Sequence, residues 1–410
     1  MRPTRMAART AAVSAMLALA VTACGGEGGD GARPGRTSGS TAAPSVPAPA
    51  TSGPPAVYTI GDAPPSGTGA ASGVVLTQEV NAGGRTACVV LALKDGKLGE
   101  VGRFGYPANT AGQDPAHGFE PCDQRTSFTT DFTQMAGVRS YRVRPGVDRH
   151  PALLAMDGTV TDISGRGDKG VAGASQSNPT IEPTTGRVWM WRTNPNKGVG
   201  NPTMLLHSMK PDGSDARDES AAQPKREDRR TSLMFVGQQF TFLGGQPIYV
   251  ETAKKAIATP DGRTAVFSDL GEYRVGPIAT LRTNPALPVT GAVTSIKPQV
   301  FLPDDGTGSR FVATSGEKIV LCAIGDSAIT TTLLYEPTDM ALKFGISQSS
   351  FVAADDGSVY YTVRNRVPAQ NGAERVARLV RLKDGQATVV AVVAADSGTA
   401  TPLTALTYVK

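Results

Sequence analysis

Four cysteines and three histidines are the residues of this 410-residue chain best equipped for chemistry, and they are scattered. The cysteines stand at Cys24, Cys88, Cys122 and Cys322, the histidines at His117, His150 and His207. Neither C-x-x-C nor H-x-H nor H-E-x-x-H spacing occurs, so a zinc ribbon or His-rich zinc centre is not expected, and no metal site is assigned. Among Cys88, Cys122 and Cys322 one thiol must be left over. Cys88 and Cys122 are the nearest pair in sequence and the first candidates for a disulfide, although spacing does not fix the connectivity. His117 and His150 adjoin a glycine and a proline respectively and read as loop histidines.

Acidic residues cluster at Asp304-Asp305 and over Asp212 to Glu219 (DGSDARDE). Oxygen-rich loops bind Ca²⁺, but the EF-hand spacing is missing, so solvated turns are the better reading; no cofactor is expected, with Ca²⁺ as the alternative. Trp189 and Trp191 lie two apart and share one face of a strand. They could stack on a sugar or peptide; packing between sheets is the favoured alternative. Residues 224–232 (PKREDRRTS) suit a mixed-charge surface loop better than a polyanion site. Gly325-Asp326-Ser327 resembles the opening of a GDS-type esterase signature. That signature belongs after the first strand of an α/β domain, and here the tripeptide lies late in a β-rich region, so a turn is expected. No G-x-S-x-G elbow accompanies it.

These residues must be positioned by short strands. Glycine (47) and proline (30) are abundant, aromatics make up only 6%, and no long stretch carries a 3.6-residue apolar period. Apolar runs such as GVVLTQEV, TACVVLALKDGKLGEV, PALLAMDGTVTDI, GRVWMWRTN and ARLVRLKDGQATVVAVV alternate with Asp-Gly turns, a strong hairpin signal. Leu93-Lys94-Asp95-Gly96 recurs as Leu382-Lys383-Asp384-Gly385. Thr185-Gly186 precedes Asp212-Gly213, and Asp356-Gly357 precedes Asp384-Gly385, at the interval expected for the two turns of one four-stranded sheet. Serial small antiparallel sheets of this kind predict an all-β fold, a single β-propeller over residues 56–410. About seven blades are expected, with six or eight also compatible with the irregular spacing. A pair of β-sandwiches is the competing architecture. ATPDGRTAVFSD (258–269) resembles the repeat of TolB-like propellers, and ADDGSVYYT (354–362) and NPTIEPTTGRVWMW (178–191) are looser copies. The resemblance implies architecture rather than activity. To close the ring, a strand near Val57 to Val80 is expected to join the last blade beside Leu403 to Val409.

The N-terminus reads as targeting. Met1 to Thr10 is basic, and the 13 residues Ala11 to Ala23 are apolar but too few to cross a bilayer. This is a Sec-type signal pattern without adjacent arginines. Val21-Thr22-Ala23-Cys24 resembles a bacterial lipobox, which implies a signal peptide over 1–23, cleavage between Ala23 and Cys24, and lipid on the Cys24 thiol. A diacylglyceryl group supplies the two chains that stable anchoring needs. Residues 24–55 lack the apolar surface to fold and read as a flexible tether. The chain carries 41 Lys+Arg against 36 Asp+Glu, a net of +5, but three of those arginines precede Cys24. Their loss leaves a net of +2 and no clustered basic face, so no nucleic-acid partner is expected.

The expected protein is therefore held at the outer face of the cytoplasmic membrane by the lipid on Cys24. It is expected as a monomer with a protein or envelope-polymer partner. A non-catalytic binding or scaffolding module is the leading function. A propeller hydrolase, lactonase or glycan-active, with its site at the channel mouth is the alternative. A sensor partner for a membrane kinase ranks third.

Overall fold

The computed structural model describes residues 57–60, 70–82, 85–105, 116–119, 122–142, 147–164, 176–193, 204–222, 240–303, 308–338, 346, 350–364, 376–395 and 404–410. Cys24, the tether, residues 224–232 and Asp304-Asp305 lie outside them. Met1–Ala50 and Thr51–Lys410 are separate units, and only the second contains described residues.

The second unit is a seven-bladed β-propeller. Blade 1 combines Gly73–Ala82, Arg85–Lys94 and Lys97–Gly105 with Thr404–Val409 from the other end of the chain. Blade 2 holds Ala116–Phe119, Gln134–Arg142, Val147–Ala155 and Val160–Asp162; blade 3 holds Gln176–Ile181, Val188–Thr193, Met204–Met209 and Arg217–Asp218. Blade 4 shows two strands among the described residues, Phe240–Leu243 and Gln246–Tyr249. Blade 5 is Ala256–Ala258, Ala265–Asp269, Glu272–Gly276 and Ala286–Leu287. Blade 6 is Lys297–Phe301, Arg310–Ser315, Lys318–Ile324 and Ile329–Tyr335, extended in parallel by Val289–Gly291. Blade 7 is Phe351–Ala353, Val359–Arg364, Val376–Lys383 and Gln386–Ala395, extended in parallel by Val57–Ile60.

Strand periodicity explains the packing. Alternate side chains face opposite sides of a blade, so each blade is apolar on both faces and buries both against neighbours. Met190 faces blade 2, packing with Ala136 and Leu153, whereas Trp191 faces blade 4, packing with Phe240. Blade 1 packs on blade 2 through Val90, Phe104, Met135 and Leu154. Blade 4 meets blade 5 through Ile248 and Phe267, blade 5 meets blade 6 through Val266 and Phe311, and blade 6 meets blade 7 through Val312 and Tyr361. The seventh interface returns to the start, with Leu379 and Val393 of blade 7 against Leu76 and Leu91 of blade 1. Seven interfaces for seven sheets make a closed ring and exclude two sandwiches. Each large side chain buried there contributes roughly 1.5–3 kcal/mol, so closure is held mainly by apolar packing.

Ring closure brings the expected strand from the Val57 to Val80 region beside the C-terminal segment, but in the first blade rather than the last. Gly73–Ala82 pairs with Thr404–Val409 in the first blade, while Val57–Ile60 runs along Val392 to Ala395 at the outer edge of the last. The repeated Leu-Lys-Asp-Gly segments occupy equivalent places, each turning the third strand of a blade into the fourth. Asp95, Gly96, Asp384 and Gly385 all have positive φ, the type I′ hairpin geometry that Asp-Gly favours.

Candidate functional site

The first strands of successive blades lie side by side: Ala256–Ala258 by Lys297–Phe301, then Phe351–Ala353, then Thr404–Val409. They form the inner wall of the ring, and the turns that follow them form one rim. Thr259 to Thr264 shows how such a turn is built. The Thr259 N–H donates to the Thr264 carbonyl, the Thr259 hydroxyl donates to Asp261 at 2.7 Å, and Asp261 also accepts from the Arg263 N–H at 3.1 Å. These donors hold the Asp261 carboxyl below its ordinary range, led by the Thr259 hydroxyl.

On this rim a cavity of about 740 Å³ opens between blades 5, 6, 7 and 1. Its lining divides by chemistry. Val300, Phe301, Leu302, Val352, Ala353 and Tyr408 supply apolar surface, with Phe301 and Val352 buried. Asp261, Arg263, Asp355 and Lys410 are exposed at the edge, and they pair as Arg263 with Asp261 at 3.4 Å and Lys410 with Asp355 at 3.3 Å. The second pair joins blade 1 to blade 7. Exposed pairs of this kind contribute at most about 1 kcal/mol and exchange readily for ligand contacts.

The opposite side of the ring is filled. Residues 122–133 lead into the second strand of blade 2, and the short 3₁₀ turn Arg125–Ser127 lies against the inner strands of blades 1 and 3. The hydroxyls of Thr126 and Thr241, from blades 2 and 4, stand 3.3 Å apart. The Cys88–Cys122 disulfide pins this segment to blade 1, and the Thr77 hydroxyl donates to the Cys122 carbonyl at 2.5 Å. Arg125 donates to the carbonyls of Phe128, Thr129 and Thr130 and lies 4.6 Å from the Phe132 ring centroid. Burial lowers its pKa to about 10 against the opposing pull of Asp131 and Glu182.

A polar cluster that sequence reasoning missed lies within blade 2. His150 is not a loop residue: it sits on Val147–Ala155 and is fully buried. Its Nε2 is 2.8 Å from Asp148 Oδ2, and its Nδ1 is 2.6 Å from Asp162 Oδ2 and 3.1 Å from Ser164 Oγ. The Tyr141 hydroxyl donates to the same Asp162 oxygen at 3.3 Å. Burial works to raise the Asp162 pKa, but hydrogen bonds from Ser164 and His150 outweigh it and hold the carboxyl low. Serine, histidine and aspartate are thus all present, yet Asp162 occupies the ring nitrogen that Ser164 would need as a base. The cluster ties three strands of the blade together. Asp148 and His150, two apart on a strand, share one face by the alternation rule, and that spacing was the signal available.

The other predicted residues fall as follows. Trp191 is fully buried against Leu206 and Phe240, so the face it shares with Trp189 is the packing face between blades 3 and 4. Trp189 is half-buried with its ring edge-on to Phe242 at 5.4 Å, and its indole Nε1 meets no hydrogen-bond partner among the described residues. Cys322 is the leftover thiol; it is buried in blade 6, and burial pushes its pKa up to about 12. His117 also lies on a strand, Ala116–Phe119, and His207 is buried on Met204–Met209. Desolvation, and then nearby Arg192, lower the His207 pKa. Gly325-Asp326-Ser327 is a turn closed by the Gly325 N–H and the Ala328 carbonyl. Within 212–219 the carboxylates are engaged: Asp212 by Ser214, Asp215 by Arg187 and Arg217, Asp218 by Ser220, and Glu219 by the Ser208 hydroxyl. Among the described residues no group of three or more His, Cys, Asp or Glu is placed to hold a metal.

No family model and no curated protein matches the chain. Solved structures similar in fold include a TolB-type protein from Agrobacterium tumefaciens (9% identity over 79% of this chain and 89% of that one, TM-score 0.31). Apo AztD from Citrobacter koseri matches at 8% identity over 82% of this chain and 97% of that one, TM-score 0.33. The dihydro-heme d1 dehydrogenase NirN matches at 14% identity over 79% of this chain and 54% of that one, TM-score 0.28. At these identities the likeness concerns fold alone, and the propeller assignment rests on the seven sheets and their cyclic packing.

Proposed function

We propose that this protein is an exported, lipid-anchored propeller that acts as a non-catalytic binding module, taking an amphipathic ligand in the cavity between blades 5, 6, 7 and 1. The observation that carries this reading is the cavity: preformed, apolar within, rimmed by two exchangeable ion pairs, and built from four blades. A concave apolar site with a few polar groups at its edge is the usual form of a ligand pocket. Its volume suits a small amphipathic molecule or a side-chain anchor from an envelope protein or polymer. The anchor at Cys24 is supported by the Val-Thr-Ala-Cys sequence and the tether that follows it.

Titration of the Cys24→Ala chain, which carries no lipid, with the neutral apolar fluorophore N-phenyl-1-naphthylamine in detergent-free buffer tests the binding reading. One saturable site is expected. Ala353→Trp, which places an indole in the cavity, is expected to weaken binding at least tenfold without altering the circular dichroism. Absent or non-saturable binding, or binding indifferent to Ala353→Trp, overturns the reading. For the anchor, Cys24→Ala is expected to release the protein from membranes or leave it unprocessed, and unchanged retention refutes lipidation.

A further inference from the structure

We infer that the C-terminal strand, Thr404–Val409, is a ligand-linked latch: occupancy of the cavity fastens the strand that closes the ring. The inference rests on the binding reading above and adds a regulation to the same site.

Thr407, Tyr408 and Lys410 line the cavity, so one wall of the proposed site is the closing strand itself. No other strand of blade 1 comes from the far end of the chain; the other three are consecutive. Its ladder is short and irregular, as are the first-to-second-strand ladders of blades 3 and 6, but here no hairpin joins the two strands. Gly73, Val74 and Val75 pair with Val409, Tyr408 and Thr407, and the register then slips before Thr77 meets Thr404. Leu406 and Tyr408 are only partly buried where they meet the core shared with blade 7, and Lys410 reaches Asp355. The Cys88–Cys122 bond fixes the consecutive strands of blade 1 to the blade 2 segment and places no covalent tie on this strand.

A short, bulged, partly exposed strand that no hairpin ties to its neighbour belongs to the low-stability end of a structure, where opening is local rather than global. A ligand that touches Thr407, Tyr408 and Lys410 finds its whole site only when the strand is docked. It therefore favours the closed state by its differential affinity, and latch closure favours ligand binding by the same factor. At a free ligand concentration of 100 times Kd, the open population falls by about a hundredfold. The ring would stay closed while loaded and loosen at one seam when empty.

Hydrogen exchange on the same Cys24→Ala chain, read by mass spectrometry with and without N-phenyl-1-naphthylamine at 100 times its measured Kd, decides the matter. The expected result is exchange slowed by up to about a hundredfold at residues 404–409 and at Gly73 to Thr77, with Gln176–Ile181 of blade 3 unchanged. Saturable probe binding that leaves 404–409 unchanged overturns the latch and spares the binding reading. Uniform slowing around the ring also overturns the latch, because closure would then be part of global stability. Absence of saturable binding overturns both.

Discussion

Blades 2 and 5 carry the same turn and put it to opposite uses. In blade 5 the hydroxyl and backbone of Thr259 cap the turn, Asp261 accepts from Thr259 and Arg263, and Gly262 takes the positive φ. In blade 2 the bonds repeat at the same offsets: Thr129 caps, Asp131 accepts from Thr129 and Thr133, and Phe132 holds φ 61°. What differs is the neighbour. The blade 4 hairpin comes so close that a Cβ on Gly262 would lie 2.6 Å from the Gly244 carbonyl oxygen. In blade 2 the space above the turn belongs to the segment carrying Arg125, so a phenyl ring fits and stacks on Phe128 at 5.0 Å. One turn therefore borders an open cavity while its copy is roofed by inserted chain. The turn supplies the frame, and the residues laid over it decide whether the channel is free to bind.

Breaking the roofed side is expected to give the largest effect. Phe132→Ala leaves the positive φ in place and removes a fully buried ring, at a cost of about 3–5 kcal/mol in urea unfolding. Replacing Cys88 and Cys122 together by serine is next, about 3–4 kcal/mol for a bond spanning 34 residues. It should loosen residues 122–133 in hydrogen exchange while sparing Thr259 to Thr264. Gly262→Ala tests the open side, where strain at φ 68° and the Gly244 approach are expected to cost about 1–3 kcal/mol. A cost at Gly262 equal to that at Phe132 would erase the distinction.

The aspartates sharpen the same comparison through pH. Burial acts to raise the Asp131 pKa, but its bonds from Thr133 and Thr129 outweigh it and leave the value lowered. Because the folded pKa lies below the unfolded one, Asp131 adds stability above the ordinary carboxylate range, and that contribution fades as pH falls through the folded value. Asp131→Asn should lower Tm at pH 7 and flatten the acid limb of a Tm-against-pH curve. Asp261→Asn should act in the same direction but least of all, since Asp261 is solvated.

Much of this frame was legible in residue order, because glycine and aspartate mark turns by backbone geometry alone. The paired turns of blades 3 and 7 were readable for that reason, as was the Cys88–Cys122 pairing as the nearest choice. The blade 2 turn was not, because Phe132 stands where the repeat has glycine, and only tertiary packing supports a phenyl ring at positive φ. His150 was misplaced because the following proline suggested a loop, whereas the strand accommodates Pro151 and turns His150 inward onto two carboxylates. The cavity lay beyond reach for a different reason. Its lining comes from four blades spread over residues 258 to 410, and no linear spacing encodes that convergence.

The parallel strand Val57–Ile60 has a mechanical consequence. Traction on the chain ahead of Val57 meets the ladder to Val392 through Ala395 first, and that ladder lies on the outer edge of blade 7. Gly73 and the seam with Thr404–Val409 come next along the chain. Load from that direction therefore reaches the edge ladder before it reaches the closing strand.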